Sequence, residues 1–215
     1  MKTEPLATTE LILIRHGETD WNAGRRIQGQ LDIPLNQTGL AQAQAVSERY
    51  QGAQIDVLIS SDLQRAMQTM QPIAQASGLP VIPETRLRER HLGILQGISY
   101  DDAKRDMPEL LDVFISRKVD PIDEGESLHE FSQRVVSVLT EIVRTHASKR
   151  IVAVTHGGVV DIACRHATGA PLETPRDFPI HNTSVSTFRV DHSEFQLIEQ
   201  ADISHLPDRK SVDDL

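Results

Sequence analysis

The fold is decided by the stretch Leu11-Ile12-Leu13-Ile14-Arg15-His16-Gly17-Glu18-Thr19, in which four apolar residues run directly into an arginine, a histidine and a glycine. The apolar run predicts a buried strand of a parallel sheet, because such strands are covered on both faces. Gly17 permits a tight turn directly after that strand. The sequence therefore predicts an imidazole and a guanidinium at the carboxyl end of a strand, where open α/β sheets bind ligands.

The adjacent side chains of Arg15 and His16 point to phosphate chemistry. A histidine beside a permanent cation is disfavoured as imidazolium, so we expect His16 to stay neutral and nucleophilic. The guanidinium of Arg15 offers a planar fork of donors that suits a phosphoryl group. This pair predicts a site that forms a phosphohistidine on His16. The alternative is an arginine–histidine pair that ends a core strand without any chemistry.

The composition narrows the class of protein. The chain has 215 residues, of which 39% are hydrophobic, and a formal net charge of −9. That charge argues against a nucleic-acid partner, which would need a basic stripe. The single cysteine, Cys164, excludes a disulfide framework and a thiolate metal cluster. No apolar signal core opens the sequence and no apolar run could span a bilayer, so we expect a cytoplasmic protein without a membrane partner.

Strands and helices are predicted to alternate along the chain. After the first strand we expect a loop over 22–37, and a helix follows it, with Thr38 as its N-cap and an end near Tyr50 and Gly52. Ser127 and Glu130 match a capping box that opens a long amphipathic helix to about His146. The remaining predicted elements are strands over 57–59, 80–82 and 151–155, helices over 62–76 and 157–166, and a hairpin over 184–190 and 195–201.

This order predicts the fold class α/β. We expect a three-layer α/β/α sandwich, in which helices cover both faces of a mostly parallel central sheet. The irregular segment 87–126 would form a small cap over the carboxyl ends of the strands. No linker or repeat divides the chain, so 1–215 is expected to be a single domain, with flexible tails over 1–9 and 206–215.

The pentapeptide Arg15-His16-Gly17-Glu18-Thr19, followed by Trp21-Asn22, resembles the histidine phosphatase superfamily, also called the phosphoglycerate mutase-like family. The resemblance spans most of the chain, from about Leu11 to Ala201, and implies the same α/β architecture. It also implies an enzyme that transfers a phosphoryl group through a phosphohistidine. The expected substrate, and the expected partner of the chain, is a small phosphorylated metabolite.

Two further segments extend the predicted site. Arg65 falls in the first turn of a helix just past a strand end, which brings it to the same rim as His16. Its segment resembles the family's serine–leucine–arginine–alanine motif, in which the arginine clamps the phosphoryl group. Thr155-His156-Gly157-Gly158 repeats the order of strand, histidine and glycine. In the family, the second histidine and the following amide hold the transferring oxygens, so the resemblance gives that role to His156 and Gly157.

The general acid can be identified only through the resemblance, because the chain has 31 Asp and Glu residues and the sequence alone does not distinguish among them. Glu89 coincides with the family's acidic residue and lies at the entrance to the expected cap. Glu18 is the rival, although a carboxylate beside the nucleophile would repel an incoming phosphate. Glu89 could also be part of a surface ion pair.

Other expected site residues match family positions with less force. Thr19 and Asn22 match positions that donate to the phosphate, and both side chains can do so. Gln28 and Gly29 match a loop that lines the substrate pocket. We expect no cofactor and no metal, since the remaining histidines show no ligand spacing.

Several features favour a phosphatase over a mutase. Leu92 stands where the mutases have a tyrosine, Tyr100 stands near their substrate-binding lysine, and Gly158 replaces an asparagine. The cap lacks a long insertion with paired arginines, so we expect too few cations for a second acidic group. The motif Glu124-Gly125-Glu126-Ser127 is more similar to that of small-molecule phosphatases.

The sequence therefore predicts a phosphomonoesterase that acts on a small phosphorylated metabolite. A cofactor-dependent phosphoglycerate mutase is the alternative. A catalytically idle phosphate-binding module and a metal-dependent hydrolase also stay open. The sequence identifies neither the physiological substrate nor the oligomeric state, and a homodimer is considered.

Overall fold

The computed structural model describes residues 8–118 and 122–206. Most of the expected flexible tails over 1–9 and 206–215 lie outside these residues. The expectation is wrong at two positions: Thr9 is the first residue of a strand, and Leu206 is buried. Both residues are buried, and Thr9 pairs with Val190 of the neighbouring strand, so the packed part of the fold includes the inner residue of each expected tail.

The centre of the molecule is a sheet of six strands in the order β3-β2-β4-β1-β5-β6. The strands are β1 (Thr9–Arg15), β2 (Val57–Ser60), β3 (Val81–Pro83), β4 (Arg150–Thr155), β5 (Val185–Asp191) and β6 (Glu194–Asp202). The first four strands of that order pair in parallel, and the hairpin of β5 and β6 adds an antiparallel edge. The carboxyl ends of β1, β2 and β4 therefore meet at one edge of the sheet.

Helices cover both faces of the sheet. They are α1 (Asp20–Ala23), α2 (Gln37–Arg49), α3 (Gln64–Ser77), α4 (Tyr100–Asp106), α5 (Pro108–Ile115), α6 (Leu128–Thr145) and α7 (Gly157–Thr168). Leu11 and Leu13 of β1 pack with apolar residues of α6 and α7, whereas Ile12 and Ile14 pack with α2 and α3. Because alternate residues of a strand face opposite sides of the sheet, the continuous apolar run contributes to the hydrophobic core on both faces. The three-layer α/β/α prediction is confirmed.

The helix boundaries differ from the prediction at the start of α2. Its N-cap is Asn36, whose side chain accepts a hydrogen bond from the amide of Gly39 at 2.8 Å, rather than Thr38. The side-chain NH2 group of Asn36 also donates to the Glu18 carboxylate at 2.9 Å. This tertiary contact favours Asn36 over Thr38 as the N-cap. The helix ends at Arg49, with Tyr50 as its C-cap, before Gly52, and the expected loop over 22–37 begins inside the short helix α1.

The expected cap over 87–126 contains a short 3-10 helix (Gly93–Leu95) together with α4 and α5, and another 3-10 helix (Thr85–Leu87) ends where the cap begins. A separate apolar cluster, in which Leu92, Leu95, Leu111 and Ile122 are buried, holds these pieces together. The capping box of Ser127 and Glu130 opens α6 as predicted. No helix within the described ranges is long and apolar enough to cross a membrane.

Candidate active site

Three strand ends bring the predicted site residues together. His16 follows β1, His156 follows β4, and Arg65 lies in the first turn of α3, just after β2. In the parallel register, Arg15 pairs with Thr155, so the two histidines are neighbours across the ladder. The centroids of their rings are 5.1 Å apart. The convergence of side chains far apart in sequence follows directly from the parallel pairing.

The nucleophile candidate His16 is buried and held in one orientation. Its Nδ1 lies 2.7 Å from the carbonyl oxygen of Gly17, which can only accept, so Nδ1 carries the proton and Nε2 presents its lone pair. The loop is fixed from two sides: the Gly17 amide donates to Thr69, and the Asn182 side chain donates to the carbonyl of His16. Burial, followed by the charges of Arg65 and Arg15, holds the pKa of His16 well below its ordinary value. The imidazole is therefore neutral, as expected.

Arg65 is only 1% exposed and connects the nucleophile to the pocket loop. Its Nε lies 3.3 Å from Nε2 of His16, and its other nitrogens donate to the carbonyls of Gly29 and Leu31, each at 2.8 Å. Gly29 has a φ of +52°, and a Cβ there would meet the side chain of Gln96 at 2.1 Å. The loop conformation that supplies these carbonyls therefore requires glycine.

Arg15 and Gly157 lie against each other at the end of the central strands. A Cβ built on Gly157 would lie 3.6 Å from Nε of Arg15. The guanidinium of Arg15 also donates to the carbonyl of Ile180. Both residues line the same cavity as His16 and Arg65, so the clamp predicted from separate motifs is assembled in one place.

His156 is fully buried and is the N-cap residue of α7. Its Nε2 lies 2.8 Å from the hydroxyl of Ser61, while its Nδ1 has no hydrogen-bond partner among the residues that the structure describes. Burial, then the charges of Arg65, His16 and other nearby groups, lowers its pKa well below the ordinary value. His156 is thus a neutral imidazole, one ring nitrogen of which lacks a partner among the described residues. Ser61, which orients it, carries no signal in the sequence beyond its place after β2.

Glu89 lies at the N-terminus of α7, opposite the histidines. One carboxylate oxygen accepts from the Gly158 amide at 2.9 Å, and the other accepts from the Arg90 amide at 2.7 Å. A Cβ on Gly158 would lie 2.2 Å from the Glu89 carboxylate, so the glycine that departs from the mutase pattern makes room for this group. The rival Glu18 accepts from Asn36 instead. Of these two candidates, Glu89 lines the cavity and Glu18 does not, and the role of Glu89 as the acid stays a prediction.

Two predicted residues are not brought into the cavity. Thr19 and Asn22 form a capping box on α1, in which the Thr19 hydroxyl donates to the Asn22 side-chain oxygen at 2.9 Å. Neither residue lines the cavity that contains His16. The structure therefore gives them a role in the loop after β1, and their expected contacts with phosphate stay a prediction that this geometry does not support.

The site opens into a cavity of about 290 Å³ beneath the cap. All other predicted site residues except His156 line it, including Gln28, whose buried side-chain oxygen lacks a hydrogen-bond partner within the described ranges. Apolar residues such as Phe114, Phe131 and Leu92 form much of the wall. The wall also contains four further arginines, which the sequence analysis did not place there: Arg26, Arg90, Arg117 and Arg176.

The expectation of too few cations is therefore wrong. These arginines are far apart along the chain, so no local cluster reveals them: Arg90 and Arg117 belong to the cap, whereas Arg26 follows α1 and Arg176 follows α7. Arg117 is compensated, since it pairs with the buried Asp161 at 2.9 Å. Arg90 is 4% exposed, donates through Nε to the carbonyl of Glu126, and leaves Nη2 without a partner among the described residues. Burial lowers the pKa of the Arg90 guanidinium, and the nearby charges of Glu126 and Glu89 oppose that shift.

Groups of three or more histidine, cysteine or carboxylate side chains that could hold a metal ion are absent from the described part of the chain. The cations around His16 are guanidinium groups. The arrangement can therefore bind a phosphoryl group, present a neutral imidazole to it and place a carboxyl group beside it.

Comparisons with known proteins give the same picture. The model of the histidine phosphatase superfamily (branch 1) matches residues 11–203. The chain is 42% identical to phosphoglycerate mutase-like protein 4 of Arabidopsis thaliana over 95% of its length and 90% of that protein. It is 37% identical to the metal-independent phosphoserine phosphatase of the same plant over 92% and 83% of the two chains. A phosphoserine phosphatase from Entamoeba histolytica, solved in complex with 3-phosphoglyceric acid, superposes with a TM-score of 0.81 at 30% identity over 92% of this chain and 98% of that one.

The resemblance inferred from the motifs is confirmed. The family, the phosphatases among these relatives and the assembled site support an enzyme that hydrolyses phosphomonoesters of small metabolites. The chain belongs to the histidine phosphatase superfamily, branch 1.

Proposed function

We propose that this protein hydrolyses a small phosphomonoester through a phosphohistidine on Nε2 of His16. The observation that carries the proposal is the fixed tautomer of a buried, neutral imidazole between two guanidinium groups. Since Nδ1 donates to Gly17, only Nε2 is available to attack phosphorus. Arg65 and Arg15 lie where they can bind the phosphoryl oxygens, and the available Nδ1 of His156 can donate to one of them.

The reaction divides into two displacements. In the first, the Nε2 lone pair of His16 forms a bond to phosphorus, the bond to the ester oxygen breaks, and the Glu89 carboxyl gives its proton to the departing oxygen. In the second, Glu89 takes a proton from a water molecule whose oxygen attacks phosphorus. The bond between phosphorus and Nε2 breaks, and inorganic phosphate leaves with His16 restored.

We further propose that the substrate carries a second anionic group. Arg90 is buried, lines the cavity and has one nitrogen, Nη2, without a partner among the described residues, and a buried donor left without a partner costs free energy until an anion binds it. A relative that acts on phosphoserine and a neighbour that holds 3-phosphoglyceric acid have ligands of this kind. The apolar part of the wall restricts the organic portion to a small body.

The arginines of the cavity wall are also compatible with the alternative, a phosphoglycerate mutase, because a mutase must hold a doubly anionic phosphoglycerate next to the phosphohistidine. The measurement that separates the two activities compares phosphate release with interconversion of the two phosphoglycerate isomers. We propose that phosphate release is the faster. The cytoplasmic location and the homodimer stay predictions of the sequence.

The central experiment traps the intermediate. The protein is mixed with a phosphorus-labelled substrate and quenched in base, and we expect acid-labile, base-stable label on His16. His16→Ala should fold and lose label and turnover, while His129→Ala, which changes an exposed histidine, should retain both. Turnover in the presence of a chelator should be unchanged. Full turnover by folded His16→Ala contradicts the mechanism, loss of turnover on chelation indicates a metal-dependent hydrolase, and phosphate binding without turnover indicates an idle module.

A further inference from the structure

The segment that carries Glu89 has no regular secondary structure between residues 88 and 92. Its carbonyl groups therefore lack the partners that a strand or helix would provide. Arg134, from α6, supplies them: one terminal nitrogen donates to the carbonyls of Arg86 at 2.7 Å and Arg88 at 2.9 Å, and the other donates to the carbonyl of Glu89 itself at 3.2 Å. Arg134 thus binds the backbone on both sides of Glu89, and the Gln30 side chain adds a second donor to the Glu89 carbonyl at 3.0 Å.

Arg134 is itself held by Glu126. The two side chains form a bidentate pair, with both N–O distances at 2.7 Å. Glu126 also accepts from the amide of His91 at 2.8 Å, and its carbonyl accepts from Nε of Arg90 at 2.9 Å. The pair therefore binds the Glu89 segment on its amide side as well as its carbonyl side.

The neighbouring residues of the motif Glu124-Gly125-Glu126-Ser127 fit this arrangement. A Cβ on Gly125 would lie 2.7 Å from the carbonyl oxygen of His91, so glycine allows the two backbones to approach. Ser127 caps α6, the helix that carries Arg134. The ring of Phe131, which lines the cavity, lies 5.1 Å from the Arg134 guanidinium. The motif that sequence analysis associated with phosphatases thus packs against the acid segment.

We propose that Arg134, held by Glu126, is the positioning residue for Glu89. It fixes the backbone so that the carboxyl group meets the leaving oxygen of the substrate. Because Glu126 compensates its charge, the guanidinium can lie against these carbonyls without an unpaired cation next to the acid. This inference rests on the proposed function, in which Glu89 protonates the leaving group.

The test uses leaving groups of different basicity. Phosphoserine has an alkyl leaving group that needs a proton, whereas p-nitrophenyl phosphate has a stable phenolate that needs little help. Arg134→Lys keeps the charge but cannot serve three carbonyls and a carboxylate together. We expect kcat for phosphoserine to fall by up to about 100-fold, with kcat for p-nitrophenyl phosphate and both KM values little changed. Glu126→Gln should show the same selectivity in a weaker form.

The matched control is Arg144→Lys, which changes an exposed arginine of the same helix and should alter neither substrate. Combining Arg134→Lys with Glu89→Gln should cause no further loss on phosphoserine, because both changes remove the same proton transfer. Equal losses on both substrates in Arg134→Lys and Glu126→Gln, or additive losses in the double variant, overturn the positioning role alone. A Glu89→Gln variant without leaving-group selectivity overturns the acid role in the proposed function, and the positioning role with it.

Discussion

Nε of Arg65 lies 3.3 Å from Nε2 of His16, in a site where neither side chain is exposed. An arginine cannot give up its proton, so this contact identifies Nε2 as an acceptor with a lone pair. The bond from Nδ1 to Gly17 gives the same tautomer independently. His16 therefore presents a lone pair in the absence of substrate, and burial followed by the charge of Arg65 lowers its pKa, as the proposed nucleophile requires.

The first prediction concerns this cation. Arg65→Lys retains a positive charge but removes the planar fork that serves Gly29, Leu31 and the phosphoryl group together. We expect kcat to fall by about 100- to 1000-fold, the cost of losing one donor of charge stabilisation in the transition state. Steady-state assays with p-nitrophenyl phosphate measure it, and Arg105→Lys on the exposed face of α4 serves as the control. Near-normal turnover by folded Arg65→Lys would contradict the clamp.

The second prediction concerns pH and stability. In the unfolded chain His16 and His156 titrate near 6.5, whereas in the folded protein burial and the neighbouring arginines hold both pKa values well below that. Below pH 6.5 the unfolded state therefore binds more protons than the folded state. The contribution of these two histidines to the free energy of unfolding should therefore be complete above this pH and should decrease as the pH drops towards their pKa values in the folded protein.

Urea unfolding in phosphate-free buffer at a series of pH values measures this dependence. The double variant His16→Ala with His156→Ala should lose much of the decline on the acid side, because it lacks the two suppressed titrations. His129→Ala changes an exposed histidine and should leave the slope unaltered. An unchanged slope in the double variant would show that other groups dominate the acid instability.

Local sequence signals predict the pair of His16 and His156, because each histidine directly follows a buried strand and the two strands are neighbours in the sheet. The apolar runs of β1 and β4 are long enough to identify buried strands, and parallel pairing brings the residues after them together. His16 and His156 could therefore be placed without the structure. The capping box at Ser127 is equally local, since it lies within one turn of α6.

The rest depends on contacts that no local pattern records. Arg90 and Arg117 reach the cavity only because the cap packs over the strand ends, so counting cations in a motif underestimates them. The choice of Asn36 over Thr38 as N-cap depends on a hydrogen bond to Glu18, which belongs to another segment. Arg134 contacts backbone carbonyl groups, which every residue has. No sequence motif therefore predicts its role.

The third prediction concerns the two glycines that open α7. A Cβ on Gly158 would lie 2.2 Å from the Glu89 carboxylate, whereas a Cβ on Gly157 would make an ordinary contact of 3.6 Å with Arg15. Because the end of the Glu89 side chain can move, Gly158→Ala should cost little stability but displace the acid. We expect kcat for phosphoserine to fall about tenfold or more relative to kcat for p-nitrophenyl phosphate. Gly157→Ala should show a smaller loss, without dependence on the leaving group, and the reverse order would contradict the assignment of Glu89.

The last prediction concerns the second anionic group of the substrate. Arg90 is buried and lines the cavity, and its Nη2 has no partner among the described residues, so Arg90→Met removes a charged donor that a doubly anionic substrate would use, together with the Nε bond to the Glu126 carbonyl. A hydrogen bond to a charged group contributes about 1.5 to 3 kcal/mol, so the KM for phosphoserine should rise by roughly 10- to 100-fold. The KM for p-nitrophenyl phosphate, which has no second anionic group, should change little.

The same variant removes a buried charge but also the Nε bond to the Glu126 carbonyl, so the thermal unfolding temperature of the free protein should change little. Phosphoserine should then stabilise Arg90→Met less than it stabilises the unaltered chain, since ligand binding adds to stability in proportion to affinity. Arg105→Met, an exposed substitution in the cap, provides the baseline for both measurements. Equal changes in KM for the two substrates would contradict this prediction, because they would show that Arg90 only shapes the cavity and does not bind the second anionic group.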